Sequence, residues 1–64
     1  MSQLKSMREE IGLKQSYVAH ILKVNQTTVS RWESGERKPP VEWIPVLAKL
    51  YEKSIVEMVK AICG

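Results

Sequence analysis

Apolar residues recur at helical spacing along nearly the whole of this 64-residue chain, and this pattern limits its fold more than any other feature. Leu4, Met7 and Ile11, for example, follow one another at steps of three and four residues. No run of four or more residues alternates strictly between apolar and polar side chains with turn residues around it, as a half-buried strand does. The sequence therefore predicts an all-α fold. A chain of this length has room for one hydrophobic core, so we expect residues 1–64 to form a single domain.

Capping residues divide the apolar pattern into five predicted helices. Ser2 is the predicted N-cap of the first helix, and Gly12 is its predicted left-handed terminator. Ser54 and Glu57 have the spacing of a capping box at the start of the fifth. A proline in the fourth helix belongs in its first turn, which places the start of that helix near Ile44. The predicted helices cover about residues 3–11, 15–22, 26–34, 44 onward and 55–62.

Only three residues, 23–25, separate the second predicted helix from the third. Asn25 is placed to act as an N-cap, with its side chain accepting a hydrogen bond from the backbone N–H of Thr27 or Thr28. Two helices joined by such a short turn have the arrangement of a helix-turn-helix, in which the second helix enters the major groove of DNA.

The third predicted helix carries an unusual polar face. Gln26, Thr27, Ser30 and Arg31 lie on one arc of a helical projection, whereas Trp32 lies on the opposite, apolar side and is predicted to join the core. Amide, hydroxyl and guanidinium groups can hydrogen-bond to base edges, and a threonine methyl can contact thymine. Composition alone leaves a second interpretation open, in which this arc is simply a solvated surface.

The charged residues favour a polyanionic partner and leave little room for catalysis or metal binding. Ten Lys and Arg against seven acidic residues give a net charge of +3. The chain has one histidine, His20, one cysteine, Cys63, and no aspartate, so no nucleophile, base and orienting acid can be assembled. We expect no enzymatic activity, no cofactor and no metal site.

The distribution of charge also predicts where the protein works. No apolar stretch is long enough to span a bilayer, and residues 1–10 carry charges where an export signal has its apolar core. A single cysteine suits a reducing compartment. We therefore expect a cytoplasmic protein without membrane contact.

One set of apolar, polar and turn residues spans the second and third predicted helices and the loop after them: Leu13, Gln15, Val18, Ala19, Leu22, Val24, Thr28, Val29, Ser30, Arg31, Trp32, Glu33, Gly35 and Pro39. This set resembles the phage repressor and Cro type of helix-turn-helix family. Upstream and downstream positions, including Gly12, Leu47 and Ala48, also fit that family. The resemblance implies a compact five-helix, lambda-repressor-like domain that binds specific sequences of double-stranded DNA as a transcriptional regulator, most simply a repressor, encoded by a bacterium or phage and associated with the nucleoid.

The resemblance also implies roles for individual residues. Gln26, Thr27 and Arg31 stand where family members contact base edges. Arg8 and Glu33 correspond to a structural ion pair between the first helix and the recognition helix. Gln15 corresponds to a residue that contacts a phosphate and braces the first residue of the recognition helix, here Gln26. The implied DNA backbone contacts are Gln15, Asn25, Ser30, Arg37 and Lys38.

Three positions depart from the family pattern. Lys23 occupies the turn position usually held by glycine, so it must either adopt a left-handed conformation or reshape the turn. Lys14 replaces the small polar residue that usually caps the second helix, which leaves that helix without a side-chain cap. Pro40 and Pro45 bracket the start of the fourth helix more tightly than usual.

The fifth predicted helix carries apolar residues around most of its circumference, more than one core-facing stripe requires. We expect Trp43, Val56 and Ile62 to contribute to a dimer surface, and a weak homodimer would place two recognition helices on a palindromic operator. A monomer with scattered surface apolar residues is the alternative. A protein-interaction module on the same scaffold, for example antitoxin-like or polymerase-binding, is the rival function. No small-molecule effector domain fits within this length.

Overall fold

A computed structural model of the chain describes residues 3–63. This described part contains five α-helices and one 3₁₀ turn, and it contains no strand. The prediction of an all-α fold is confirmed. The elements are α1 (Gln3–Glu10), α2 (Gln15–Leu22), α3 (Gln26–Ser34), a 3₁₀ turn (Val41–Trp43), α4 (Ile44–Leu50) and α5 (Ile55–Cys63).

The helix boundaries agree with the predicted ones to within one residue, and α2 and α3 have the predicted bounds. α1 ends at Glu10, one residue early, because Gly12 adopts φ 78° and reverses the chain. The backbone N–H of Leu13 then bonds back to the carbonyl of Arg8 at 3.1 Å, which satisfies an end-of-helix acceptor. α5 extends one residue further than predicted, to Cys63. The predicted N-cap Ser2 lies outside the described residues.

The prolines before α4 produce a short 3₁₀ turn that the sequence did not predict. The backbone N–H of Trp43 donates to the carbonyl of Pro40 at 2.9 Å, which closes this turn. α4 begins at Ile44, as predicted, and Pro45 lies in its first turn, where a missing N–H costs no helical hydrogen bond.

α5 begins with the predicted capping box. Glu57 N–H donates to Ser54 Oγ at 3.1 Å, and Ser54 N–H donates to Glu57 Oε1 at 3.1 Å. The hydrogen bond from the Ser54 backbone N–H to the Glu57 carboxylate is the main reason why the pKa of Glu57 lies below its ordinary value. The preceding residues use another left-handed position, Glu52 at φ 56°, so that Lys53 N–H reaches the carbonyl of Ala48 at 2.8 Å.

All five helices contribute to one cluster of buried apolar side chains. Trp32 belongs to it, as predicted, and so does Tyr51, which is 2% exposed. Burial raises the pKa of the Tyr51 hydroxyl to about 12, and the nearby charge of Glu33 acts in the same direction. The buried apolar residues are Leu4, Val18, Ala19, Leu22, Val29, Trp32, Ile44, Leu47, Ala48, Tyr51 and Met58.

Candidate nucleic-acid interface

The turn between α2 and α3 keeps a helix-terminating geometry without glycine. Lys23 adopts the left-handed conformation, with φ 57° and ψ 42°. The N–H of Lys23 donates to the carbonyl of His20 at 3.2 Å, and the N–H of Val24 donates to the carbonyl of Ala19 at 3.0 Å. This is the paired pattern of a Schellman motif, which a non-glycine residue adopts at a cost of about 1 kcal/mol. Of the two outcomes open to Lys23, the structure has the left-handed one.

Neither α2 nor α3 has a side-chain N-cap. Asn25 occupies the N-cap position of α3, but its side chain makes no capping hydrogen bond, so that part of the prediction is wrong. One of the two donors predicted for it, the Thr28 N–H, donates to the Asn25 carbonyl instead, at 2.9 Å. Lys14 likewise precedes α2 without a side-chain cap, as predicted. The Asn25 side chain is exposed and is not committed to the helix end.

The polar arc of α3 points out of the molecule. Gln26, Thr27, Ser30 and Arg31 are all exposed. The opposite side of the helix packs into the core through Val29, which is 1% exposed, and Trp32, which is 7% exposed. Because apolar side chains at helical spacing fix which side of α3 faces inward, the four polar side chains project together on a helix that cannot rotate without exposing its anchors.

A buried ion pair ties the last turn of α3 to α1. Arg8 Nε donates to Glu33 Oε2 at 2.7 Å, and Arg8 Nη2 donates to Glu33 Oε1 at 3.1 Å. Arg8 Nη1 donates to the carbonyl of Leu13 at 2.8 Å, which adds the turn before α2 to the same contact. The hydrogen bond to Glu33 is the main reason why the pKa of Arg8 rises above its ordinary value. The structure thus brings together the two residues that the family resemblance pairs.

Gln15, at the start of α2, is connected to the same carboxylate. Its Nε2 donates to Glu33 Oε1 at 2.9 Å. The side chain of Gln26 makes no hydrogen bond in the described structure, so Gln15 is held by Glu33 and not by the implied contact with Gln26. Gln15, Gln26, Thr27 and Ser30 nevertheless line one shallow depression on the surface.

The loop after α3 presents two cations beside the polar arc. Gly35, at φ 84°, reverses the chain, and Pro39 is buried against the fold. Arg37 and Lys38 between them are exposed, and neither forms an ion pair with another described residue. Two free cations on a short loop are typical of phosphate contacts.

One acidic residue at this surface, Glu36, was not predicted from the sequence. Its Oε2 lies 3.7 Å from Arg31 Nε, and both side chains are at least half exposed. The signal was the position of Glu36 directly after Gly35, since a left-handed residue there turns the chain back toward the last turns of α3. Glu36 holds the Arg31 guanidinium loosely, because an exposed pair at this distance contributes little free energy.

The three residues expected at a dimer surface have different environments. Val56 is 63% exposed on α5. Trp43 and Ile62 are only half-buried, and both pack partly against the core. Two further α5 residues, Ile55 and Val59, are exposed beside Val56. The exposed apolar surface of α5 is therefore centred on its first two turns.

Within residues 3–63, no three histidine, cysteine or acidic side chains come close enough to hold a metal ion. None of the helices described there is long and apolar enough to cross a membrane.

Comparison with protein families identifies the class of this fold and surface. The chain matches the helix-turn-helix family over residues 4–58 and belongs to it. This family is typical of Cro and lambda-repressor-like DNA-binding regulators and is not typically enzymatic, and its fold agrees with the predicted all-α, lambda-repressor-like architecture. No curated protein and no solved structure gives a significant match.

Proposed function

We propose that this protein is a sequence-specific transcriptional regulator, acting as a repressor, that reads the major groove of double-stranded DNA with α3. The observation that supports it most is the exposed polar arc of α3, which is fixed to the domain by a buried core and a buried ion pair. Gln26 is suited to bidentate hydrogen bonding with adenine, and Arg31 to bidentate hydrogen bonding with guanine. Thr27 offers a methyl group for thymine.

The phosphate contacts follow from the residues that surround this arc. Gln15 and Asn25 lie at the starts of α2 and α3, where exposed backbone N–H groups also favour anions. Ser30 lies on α3 itself, and Arg37 and Lys38 supply positive charge from the loop. We infer that these five residues fix the protein on the DNA backbone while the base contacts supply the sequence preference.

We further propose a weak homodimer that binds a palindromic operator. The exposed apolar residues of α5 support this, because a core built from a chain of this length is small and gains from a partner subunit. A two-fold dimer would place its two α3 helices about one DNA turn apart, roughly 34 Å. The protein would act on the nucleoid of a bacterium or on phage DNA in the cytoplasm.

Selection of bound sites from a random duplex pool tests the whole proposal. We expect an enriched motif with two symmetric half-sites about one helical turn apart, and an affinity that falls steeply with salt. Absence of any enriched sequence, together with no binding to duplex DNA at low salt, would overturn it. Enrichment of a single half-site would support the proposed regulator and contradict the proposed dimer.

The exposed α5 residues Ile55, Val56 and Val59 also favour a second candidate, a protein-interaction module of antitoxin-like or polymerase-binding type. Here the helical scaffold would present an apolar helix to a protein partner. Binding to duplex DNA at low salt separates the two candidates. The regulator should bind the duplex and retard it in a gel, and the interaction module should not.

A further inference from the structure

The carboxylate of Glu33 has a second connection besides Arg8. Its Oε2 accepts a hydrogen bond from Arg8 Nε at 2.7 Å, whereas Oε1 accepts from both Arg8 Nη2 at 3.1 Å and Gln15 Nε2 at 2.9 Å. Glu33 is buried, and Gln15 is half-buried at the edge of the polar surface. One carboxylate in the interior therefore joins α1 and α3 to a side chain that borders the candidate DNA interface.

This hydrogen bond fixes the orientation of the Gln15 amide. A carboxylate can only accept hydrogen bonds, so the amide must turn its NH₂ group toward Glu33. One N–H of that group is used by Glu33, which leaves the second N–H and the carbonyl oxygen for other partners. A glutamine without such a neighbour can turn either end of its amide inward.

We propose that Glu33 is a positioning residue for DNA binding, which orients the amide of Gln15 so that its second N–H is ready to donate to a phosphate. The proposal rests on the proposed function, in which Gln15 contacts the DNA backbone. A side chain that is already ordered loses less conformational entropy on binding than a free one. The expected gain in DNA affinity is about threefold to tenfold.

Two double variants separate this role from the ion pair. Arg8→Met/Glu33→Leu removes both charges and the acceptor for Gln15, whereas Arg8→Met/Glu33→Gln removes both charges and keeps an amide oxygen as an acceptor. Replacing both members of a buried pair avoids an uncompensated charge, so both variants are expected to fold. Circular dichroism checks that they do.

The dissociation constants of both double variants are measured on the duplex that the wild-type chain selects. We expect the variant with Leu at position 33 to bind about threefold to tenfold more weakly than the variant with Gln there. The difference should disappear when Gln15→Ala is added to both, since the effect then has no side chain to act through. Equal constants in the first comparison, or a difference that persists with Gln15→Ala, would overturn the proposal.

Nuclear magnetic resonance can test the Gln15–Glu33 hydrogen bond in the wild-type chain itself, without DNA and without variants that must fold. One side-chain amide proton of Gln15 should exchange with water more slowly than those of Gln26, whose side chain makes no hydrogen bond in the described structure. Equally fast exchange at the two residues would overturn the proposal. A protected Gln15 amide in a chain that binds no duplex would instead overturn the proposed function, and with it the role of Glu33 in DNA binding.

Discussion

Arg8 and Glu33 face each other as a two-point ion pair, with Nε–Oε2 and Nη2–Oε1 distances of 2.7 and 3.1 Å. Both residues are more than nine-tenths buried. Removing two charges from water is costly, and their attraction in the interior offsets this cost only when the geometry is good and the remaining polar atoms are paired. The pair is therefore expected to specify how α1 meets α3 more than to add net stability.

Arg8→Ala should lower the free energy of unfolding by about 3 to 5 kcal/mol, because it leaves the Glu33 carboxylate buried without its counter-charge. This is a large part of the stability of a domain of this length. Urea denaturation followed by circular dichroism measures the change. The control is Arg8→Met/Glu33→Leu. Its free energy of unfolding should lie within about 1 kcal/mol of the wild-type value or above it. Equal losses in the two variants would show that the packing of the side chains matters and the charge does not.

Lys23→Gly should raise the free energy of unfolding by about 1 kcal/mol, since glycine adopts the left-handed conformation of this turn without a steric penalty. The same reasoning applies to Glu52→Gly before α5. Thermal unfolding measures both changes. Lys49→Gly provides the matched control, because Lys49 is an exposed helical residue where glycine costs roughly 1 kcal/mol. If glycine lowered the free energy of unfolding at positions 23, 52 and 49 alike, the inference that Lys23 is strained would be wrong.

The helices could be predicted from the sequence because their start and stop signals agree with their apolar spacing. The bounds of α3 follow from the turn before Gln26 and from Gly35, and its polar arc follows from the helical period. Capping detail was less predictable, since the Asn25 backbone carbonyl satisfies a donor that the side chain was expected to bond. The hydrogen bond between Gln15 and Glu33 could not be predicted from the sequence, because the two residues are 18 positions apart and meet only through packing.

Raising the pH should destabilise the fold through Tyr51. Its pKa is raised to about 12 in the folded chain, against an ordinary value of 10.0, because burial disfavours the phenolate. Between these values the unfolded chain has released the proton and the folded chain has retained it, so the free energy of unfolding falls as the pH rises. The loss should approach roughly 2 to 3 kcal/mol by about pH 12.

Urea denaturation at a series of pH values from about 8 to about 12 measures this dependence. Tyr51→Phe is the control, because it keeps the ring in the core and removes the titrating hydroxyl. The contribution of Tyr51 is the difference between the two pH profiles. Parallel profiles for the wild type and Tyr51→Phe would contradict it.

Arg31→Ala and Lys38→Ala should weaken DNA binding in different ways. Loss of a base contact at Arg31 should cost about 1 to 3 kcal/mol on the selected site and relax the preference at one base position. Loss of a phosphate contact at Lys38 should weaken binding to all sequences alike and reduce the slope of log K against log salt by about one. Titrations of the selected and a scrambled duplex at several salt concentrations measure both. Equal losses on the two duplexes for Arg31→Ala would remove its reading role, and an unchanged slope for Lys38→Ala would remove it from the phosphate contacts.

Val56→Lys should dissociate the proposed dimer while leaving the fold intact. Val56 is 63% exposed, so a charge there costs the monomer little, but the same charge in an apolar contact between two copies of α5 must be desolvated. Ile21→Lys is the control, because Ile21 is another β-branched apolar residue, is 44% exposed and lies on α2, outside the residues and the helix assigned to the dimer surface. Analytical ultracentrifugation over a range of concentrations, with a reductant to keep Cys63 free, should show self-association of the wild type and of Ile21→Lys but not of Val56→Lys. On a palindromic duplex, Val56→Lys should bind its two half-sites independently with the half-site affinity unchanged. A wild-type chain that stays monomeric at all concentrations, and that also binds two half-sites independently, would exclude α5 as a dimer surface.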